Sequence, residues 1–385
     1  MTSTEPAIAF FTAPTSTTAP QPLAWGAHAL WEQLVGQLPG LSVEVVARIP
    51  STNSALLERA RVVGHDASHE PFDRAHDNPH PDTHDADSQP QALGDVIVRR
   101  STESRAFGRR AVDWQPCLLV AEHQTAGRGR HGHHWHAAAG SSLTFSLALT
   151  FNPPDWSGLS LAVGVALAEA LNPSEAAPAG AANASPRLGI KWPNDLWLMD
   201  EPADEPAGEP AAESAHKPAQ SRPGRKLGGV LIETVAIGNK RLVVVGVGLN
   251  VLPMGLNAAQ ASSGTACLQE LHPHIDAPAA LARVVGPLVS ALQTFERSGF
   301  AAFAERFAAR DVLFQRHITT TQIGLEEGVA QGVSASGALQ VQTKTGLRAL
   351  TSGEVSVRPA GMAAQPGAHQ ASPSGSTPTN PGAAC

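Results

Sequence analysis

The densest chemistry in the chain lies in one stretch, Glu122-His123-Gln124-Thr125-Ala126-Gly127-Arg128-Gly129-Arg130-His131-Gly132-His133-His134-Trp135. Gly127, Gly129 and Gly132 have the spacing of a dinucleotide-binding turn. Such a turn must run straight into an apolar helix whose N-terminus faces the pyrophosphate. Here histidines, a tryptophan and Ala-Ala-Ala-Gly-Ser-Ser follow instead, so the spacing lacks its context. Glycines alternating with Arg128 and Arg130 describe a loop that could close over an anionic ligand, its fixed charges meeting phosphate or carboxylate oxygens. Composition alone leaves that reading level with a solvated surface loop.

Four other segments could share in the chemistry. Gly189-Ile190-Lys191-Trp192-Pro193-Asn194-Asp195-Leu196 sets a lysine at the end of an apolar strand, placed to point a compact cation into a pocket. It is followed by Lys226-Leu227-Gly228-Gly229-Val230-Leu231-Ile232-Glu233, and Val245-Gly246-Val247-Gly248-Leu249-Asn250 ends a buried strand on Asn250. Upstream, Pro50-Ser51-Thr52-Asn53 closes a strand and offers hydroxyl and amide caps to a helix, the first candidate site. Taken singly, each of these strand ends reads equally as a satisfied edge of the core.

The elements that must position them follow from hydrophobic periodicity. Val43 to Ile49, Cys117 to Ala121, Leu143 to Leu149, Val230 to Val235 and Leu242 to Val247 are short, β-prone runs. Helical spacing marks Leu23 to Leu38, Ser54 to Arg61, Leu159 to Leu171, Leu281 to Phe295 and Phe300 to Arg310. Strands and helices in this proportion indicate a mixed α/β domain with a sheet core over 23–310, then a small all-β barrel over 311–358, where glycines punctuate short strands. Against average usage of roughly 7% Gly and 5% Pro, the 35 Gly and 31 Pro of this 385-residue chain point to unstructured segments. These are expected at 1–22 and 359–385, and as insertions near 64–94, 172–186 and 201–223. The histidines of the first insertion lack any spacing that would fix a metal geometry.

A net charge of −7 argues against a non-specific nucleic-acid binder, which needs a basic field. Three widely spaced cysteines fit neither a disulfide framework nor a zinc site. With neither a basic, apolar leader nor a long apolar run, the expectation is a cytoplasmic protein with no membrane partner.

Together the Ser-Thr-Asn turn, Gln-x-x-Gly-Arg-Gly-Arg, Lys-Trp-Pro-Asn-Asp, Leu-Gly-Gly-Val-Leu-Ile-Glu and Gly-Leu-Asn resemble the biotin protein ligase family, in the family's order, from about Val43 to Arg358. The resemblance implies the fold class α+β: a mixed β-sheet flanked by helices, the class II synthetase-like biotin/lipoate ligase fold, with an SH3-like C-terminal domain. It implies activation of biotin by MgATP as biotinyl-5′-AMP and transfer to a lysine of a biotin carboxyl carrier protein, with a homodimer allowed. By the same resemblance Ser51, Thr52, Asn53 and Gln124 hold biotin's ring, and Arg128-Gly129-Arg130 close over the ligand. Lys191 meets the carboxylate and α-phosphate, and Asn250 contacts the nucleotide's phosphates or its Mg²⁺, no protein cage being expected for the metal.

One departure is visible: His131, then His133, stand where many relatives continue the loop with arginine. Some members carry an N-terminal DNA-binding domain. Only about forty residues with one helix precede the first strand here, so the expectation is the monofunctional form without DNA as a partner. The rival on the same fold is a lipoate–protein ligase, which would want a longer apolar tunnel.

Overall fold

The computed structural model describes residues 23–66, 115–137, 139–173, 187–200, 224–237, 240–253, 264–351 and 357–359. In chain order the elements are α1 (Ala27–Val35), β1 (Ser42–Ile49), α2 (Thr52–Asp66), β2 (Cys117–Gln124), β3 (Gly127–Arg128), β4 (His134–Trp135), β5 (Ser142–Thr150) and α3 (Leu159–Leu171). Then come β6 (Leu188–Lys191), β7 (Asp195–Met199), β8 (Gly224–Ile237), β9 (Lys240–Asn250), α4 (Ala277–Ser298) and α5 (Ala304–Ala308). The chain closes with β10 (His317–Thr320), β11 (Glu327–Val333), β12 (Leu339–Thr343), β13 (Gly346–Leu350) and β14 (Val357–Pro359).

Seven strands form one sheet in the order β1-β2-β5-β9-β8-β7-β6. Only β1 and β2 run parallel, so the sheet is mixed, as the resemblance implies. Strand alternation divides its residues between two layers. Leu143, Phe145 and Leu147 of β5 and Val243, Val245 and Val247 of β9 pack toward α1, α3 and α4. Ala148 of β5 and Val244 of β9 face α2, whose Leu56, Leu57 and Ala60 fill a smaller core. Ser146, Gly246 and Gly248 fall at alternate positions of that second face, beyond the end of the apolar cluster.

Several bounds differ from expectation. Helix α2 starts at Thr52, not Ser54, because Ser51 is the cap: its Oγ accepts from the Ser54 N–H at 3.4 Å, which turns Thr52 and Asn53 into helical first-turn residues. It also runs to Asp66, so residues 64–66 of the expected first insertion are helical. Strand β8 spans 14 residues, its Gly-Gly step having hidden the first half from β-propensity. Segments 1–22, 67–94, 174–186, 201–223 and 360–385, read as unstructured, lie outside the described residues. Among those described, no helix is long and apolar enough to cross a membrane.

Five antiparallel strands, in the order β13-β12-β11-β10-β14, form the smaller C-terminal sheet. The connection to it is not a free linker. Ile190 N–H donates to the Arg310 carbonyl at 2.7 Å and Val312 N–H to the Ile190 carbonyl at 3.1 Å, so residues 310–312 lie parallel against β6. Buried Arg310 ties the same place together, donating to the carbonyls of Leu188 at 2.9 Å and Asn172 at 2.8 Å. The Trp192 indole N–H donates to the Gly337 carbonyl at 2.9 Å. Both neighbours of Lys191 are thus held by the C-terminal part of the chain.

Asp311 at this junction accepts from the Leu313 N–H at 2.8 Å on Oδ1, while Oδ2 is shut off from solvent with no partner among the described residues. Burial pushes its carboxyl up to about 6, against weaker opposing effects of backbone N–H groups and Arg316. An aspartate in the unfolded chain titrates near 3.9, so the folded state holds this proton more tightly. The stabilisation is complete below about pH 4 and is lost as pH rises through 6, a cost on the order of 3 kcal/mol by pH 8. Asp311→Asn is therefore expected to raise the melting temperature at pH 8 and to give no gain at pH 4. Equal shifts at both pH values would show that the buried charge is not the cause.

Candidate active site

A cleft opens where the N-terminus of α2, the end of β2, the β3–β4 hairpin and the turn between β6 and β7 meet over β8 and β9. Its floor is bare backbone. A Cβ on Gly246 would lie 2.2 Å from Asn53 Oδ1, and one on Gly248 would lie 2.5 Å from the Trp135 ring. The glycines of the Val-Gly-Val-Gly run are there to let these two side chains lie on the sheet.

At one end of the cleft the polar turn is folded inward. Ser51, Thr52 and Asn53 are each at most 4% exposed and Gln124 is 9% exposed, although all four line the cavity. The parallel register of β1 and β2 brings Ile49 opposite Gln124, and Gln124 Oε1 then accepts the Thr52 N–H at 2.7 Å and lies 3.3 Å from the Thr52 hydroxyl. Asn53 Nδ2 donates to the Leu231 carbonyl at 3.2 Å and to Glu233 Oε2 at 3.0 Å. Ser146 Oγ, fully buried on β5, lies 2.6 Å from both Thr52 Oγ1 and Asn53 Oδ1.

The same cleft is lined by cations. Strands β3 and β4, two residues each, form a hairpin closed by Gly129 N–H to the His133 carbonyl at 2.7 Å, with His131 at its tip in the left-handed region (φ 54°). The two arginines differ in setting. Arg128 at the stem donates to Ser54 Oγ at 2.9 Å and pairs with Glu233 at 2.5 Å. Arg130 reaches across to Asn194 Oδ1 at 3.3 Å, and its burial pulls the guanidinium below its ordinary pKa, opposed by Asp195. Lys191 ends β6 with Nζ 4.7 Å from the centroid of the Trp197 ring. Lys226 pairs with Asp195 at 2.7 Å beside it.

Eight of the nine residues expected at the site line this cleft: Ser51, Thr52, Asn53, Gln124, Arg128, Gly129, Arg130 and Lys191. Asn250 does not. It is buried at the end of β9, its Nδ2 tied to the Ala266 carbonyl at 3.0 Å. Sequence reasoning gave no role to Ser146, Glu233 or Trp135. Trp135 lines the cleft with its indole N–H buried and without a partner among the described residues. Among the described residues no three His, Cys, Asp or Glu side chains cluster as metal ligands, and Asp195 is already engaged. The clustered cations suit a polyanion such as a triphosphate, which would bring its own Mg²⁺.

The chain matches two family models, the Biotin/lipoate A/B protein ligase family over residues 96–250 and the Biotin protein ligase C terminal domain over 318–358. The bifunctional ligase/repressor BirA of Escherichia coli is 30% identical over 246 residues, 63% of this chain and 66% of that protein. The biotin–[acetyl-CoA-carboxylase] ligase of Mycobacterium tuberculosis is 34% identical over 163 residues, 41% of this chain and 48% of that one. The matches thus span just under two thirds of the first of these relatives and about half of the second. The biotin protein ligase of Aquifex aeolicus, solved in complex with biotin and ATP, shares the fold: TM-score 0.51 at 20% identity, covering 82% of this chain and 98% of that one.

Proposed function

The chain belongs to the biotin/lipoate A/B protein ligase family, and we propose that it is an ATP-dependent ligase that joins biotin to a lysine of a biotin carboxyl carrier protein. One observation carries the reading: one cleft is lined both by buried hydrogen-bonding side chains, Thr52 and Gln124, and by the cations Lys191 and Arg130. A ring with polar edges and an anionic tail would span them. A lipoyl ring, having no N–H or C=O, would leave Thr52 and Gln124 unsatisfied, at a cost of about 1–3 kcal/mol for each group.

In the first half-reaction a carboxylate oxygen of biotin attacks the α-phosphorus of MgATP, and the bond to pyrophosphate breaks. In the second, the carrier's lysine amine attacks the acyl carbon of the mixed anhydride and AMP leaves. Charge grows on phosphate oxygens in the first step, so positioned cations are what the protein can contribute. Lys191 serves the carboxylate and α-phosphate. Arg130, on the hairpin tip, closes over the intermediate, while Arg128, neutralised by Glu233, anchors the hairpin's stem. The test is incubation with ATP and radiolabelled biotin, with and without a carrier domain. Labelled adenylate alone, then labelled carrier, is the expected result, and neither product would refute the reading.

The hairpin assignment makes its own prediction. Arg130→Gly removes the cation that holds the tip against Asn194, so biotinyl-AMP should escape about tenfold faster and label bystander lysines. Measuring adenylate release by rapid filtration checks this. A variant that keeps its adenylate as long as the parent would leave the tip without a gating role.

A further inference from the structure

Beneath the cleft the buried polar side chains form one continuous line, and the chemistry of its ends dictates where each proton sits. Glu233 can only accept, taking Asn53 Nδ2 on Oε2 and Arg128 on Oε1. The Leu231 carbonyl, also only an acceptor, takes the other Asn53 N–H. The amide of Asn53 is therefore oriented without ambiguity, Oδ1 facing Ser146 Oγ at 2.6 Å. Because Oδ1 can only accept, the Ser146 hydroxyl gives it its single proton. Thr52 Oγ1 lies 2.6 Å from Ser146 Oγ and 3.3 Å from Gln124 Oε1; with the Ser146 proton spent on Asn53, two oxygens at 2.6 Å need the Thr52 proton between them, and the longer contact to Gln124 goes without it. At the far end the Thr52 N–H fixes Gln124 Oε1 as an acceptor, which leaves the Gln124 amide nitrogen to donate elsewhere.

The consequence is a polarity. With its proton turned inward, the Thr52 hydroxyl offers the cleft only lone pairs. Thr52 and Asn53 are each 3% exposed and Ser146 is 0% exposed, so water cannot replace a missing link. Resting on the biotin reading above, we infer that Glu233 and Ser146, neither of which lines the cleft, are positioning residues that set ligand specificity. Acting through Asn53, they hold Thr52 as an acceptor. The site thereby selects a ring carrying N–H donors, such as a cyclic urea, over a ring with none, such as a dithiolane.

Biotin and lipoate share a valerate tail and differ in the ring, so their affinities for the full chain, by calorimetry and by competition, test this. The parent is expected to prefer biotin by on the order of 10³ or more, since a site built around a hydrogen bond rejects the analogue lacking it. Ser146→Ala frees the Thr52 proton and should weaken biotin about tenfold, leaving lipoate and ATP affinities unchanged. Glu233→Gln, a milder change at a partly exposed position, should shift the preference in the same direction. A loss shared equally by both ligands, or an undiminished preference in both variants, would overturn the relay and leave these residues as fold supports. A parent that fails to bind biotin, or prefers lipoate, would remove the ligase reading itself along with the relay. A parent selective for biotin whose variants remain just as selective removes only the relay.

Discussion

Lys191→Ala is expected to slow formation of biotinyl-AMP by about 10²- to 10³-fold, the usual cost of removing one donor aimed at charge that develops in a transition state. The effect should fall on the chemical step rather than on binding, because the carboxylate and α-phosphate bring their fullest charge to Nζ only as they meet. The structure holds the lysine ready: its strand neighbours Ile190 and Trp192 are pinned, and its ammonium lies over the Trp197 face. Lys191→Arg should not restore the rate, since a planar fork on a longer reach cannot occupy the place of a compact ammonium. Single-turnover adenylate formation measures the loss, and transfer from synthetic biotinyl-AMP, which bypasses activation, should be hurt less. A folded Lys191→Ala protein that makes adenylate near the parental rate would reduce this lysine to a strand-end residue.

The second large effect is expected from one carbon atom in the floor of the cleft. In Gly246→Ala the new Cβ would stand 2.2 Å from Asn53 Oδ1 and 2.8 Å from its Cγ. An amide at the free end of a flexible side chain would step aside cheaply. Asn53 cannot, being held by Glu233, Leu231 and Ser146 at once. Moving it breaks two or three buried hydrogen bonds, each worth about 1 kcal/mol or more, so biotin affinity should drop about 100-fold. Calorimetry would show this, with ATP affinity as the internal control. If the variant binds biotin like the parent, Asn53 is not the fixed support described above.

Much of this architecture could be read from the chain, and the failures have physical causes. Helix α3 was legible to the residue because Leu159–Leu171 is apolar almost throughout and flanked by glycine and Asn-Pro. The start of α2 was not, since Ser51, Thr52 and Asn53 are all good caps and only the fold decides which one serves. The cleft's charged and polar ring was legible from motifs. Ser146 was invisible because it sits in an apolar strand with no local mark. Only the pairing of β5 with β2 and β9 puts it under Thr52. Glu233 carried a weak signal, since period-two alternation places it on the same face as Gly229 and Leu231, both of which line the cleft. Asn250 stands apart from these: it lies outside the cleft's lining, its Nδ2 taken by the Ala266 carbonyl and its Oδ1 buried with no partner among the described residues.

The backbone of residues 310–312, laid along β6, also bears on the solubility of the chain. Strand β6 ends the order of the large sheet, and its outer N–H and C=O groups at Ile190 are taken up by Arg310 and Val312. Uncovered sheet edges are templates on which other chains add strands and aggregate. The C-terminal segment therefore acts as a selvedge, finishing the sheet where it would otherwise recruit its own copies. A chain cut before Arg310 would expose such an edge one residue from Lys191. The inactivity of a truncated protein would then reflect self-association at this edge as well as any loss of catalysis.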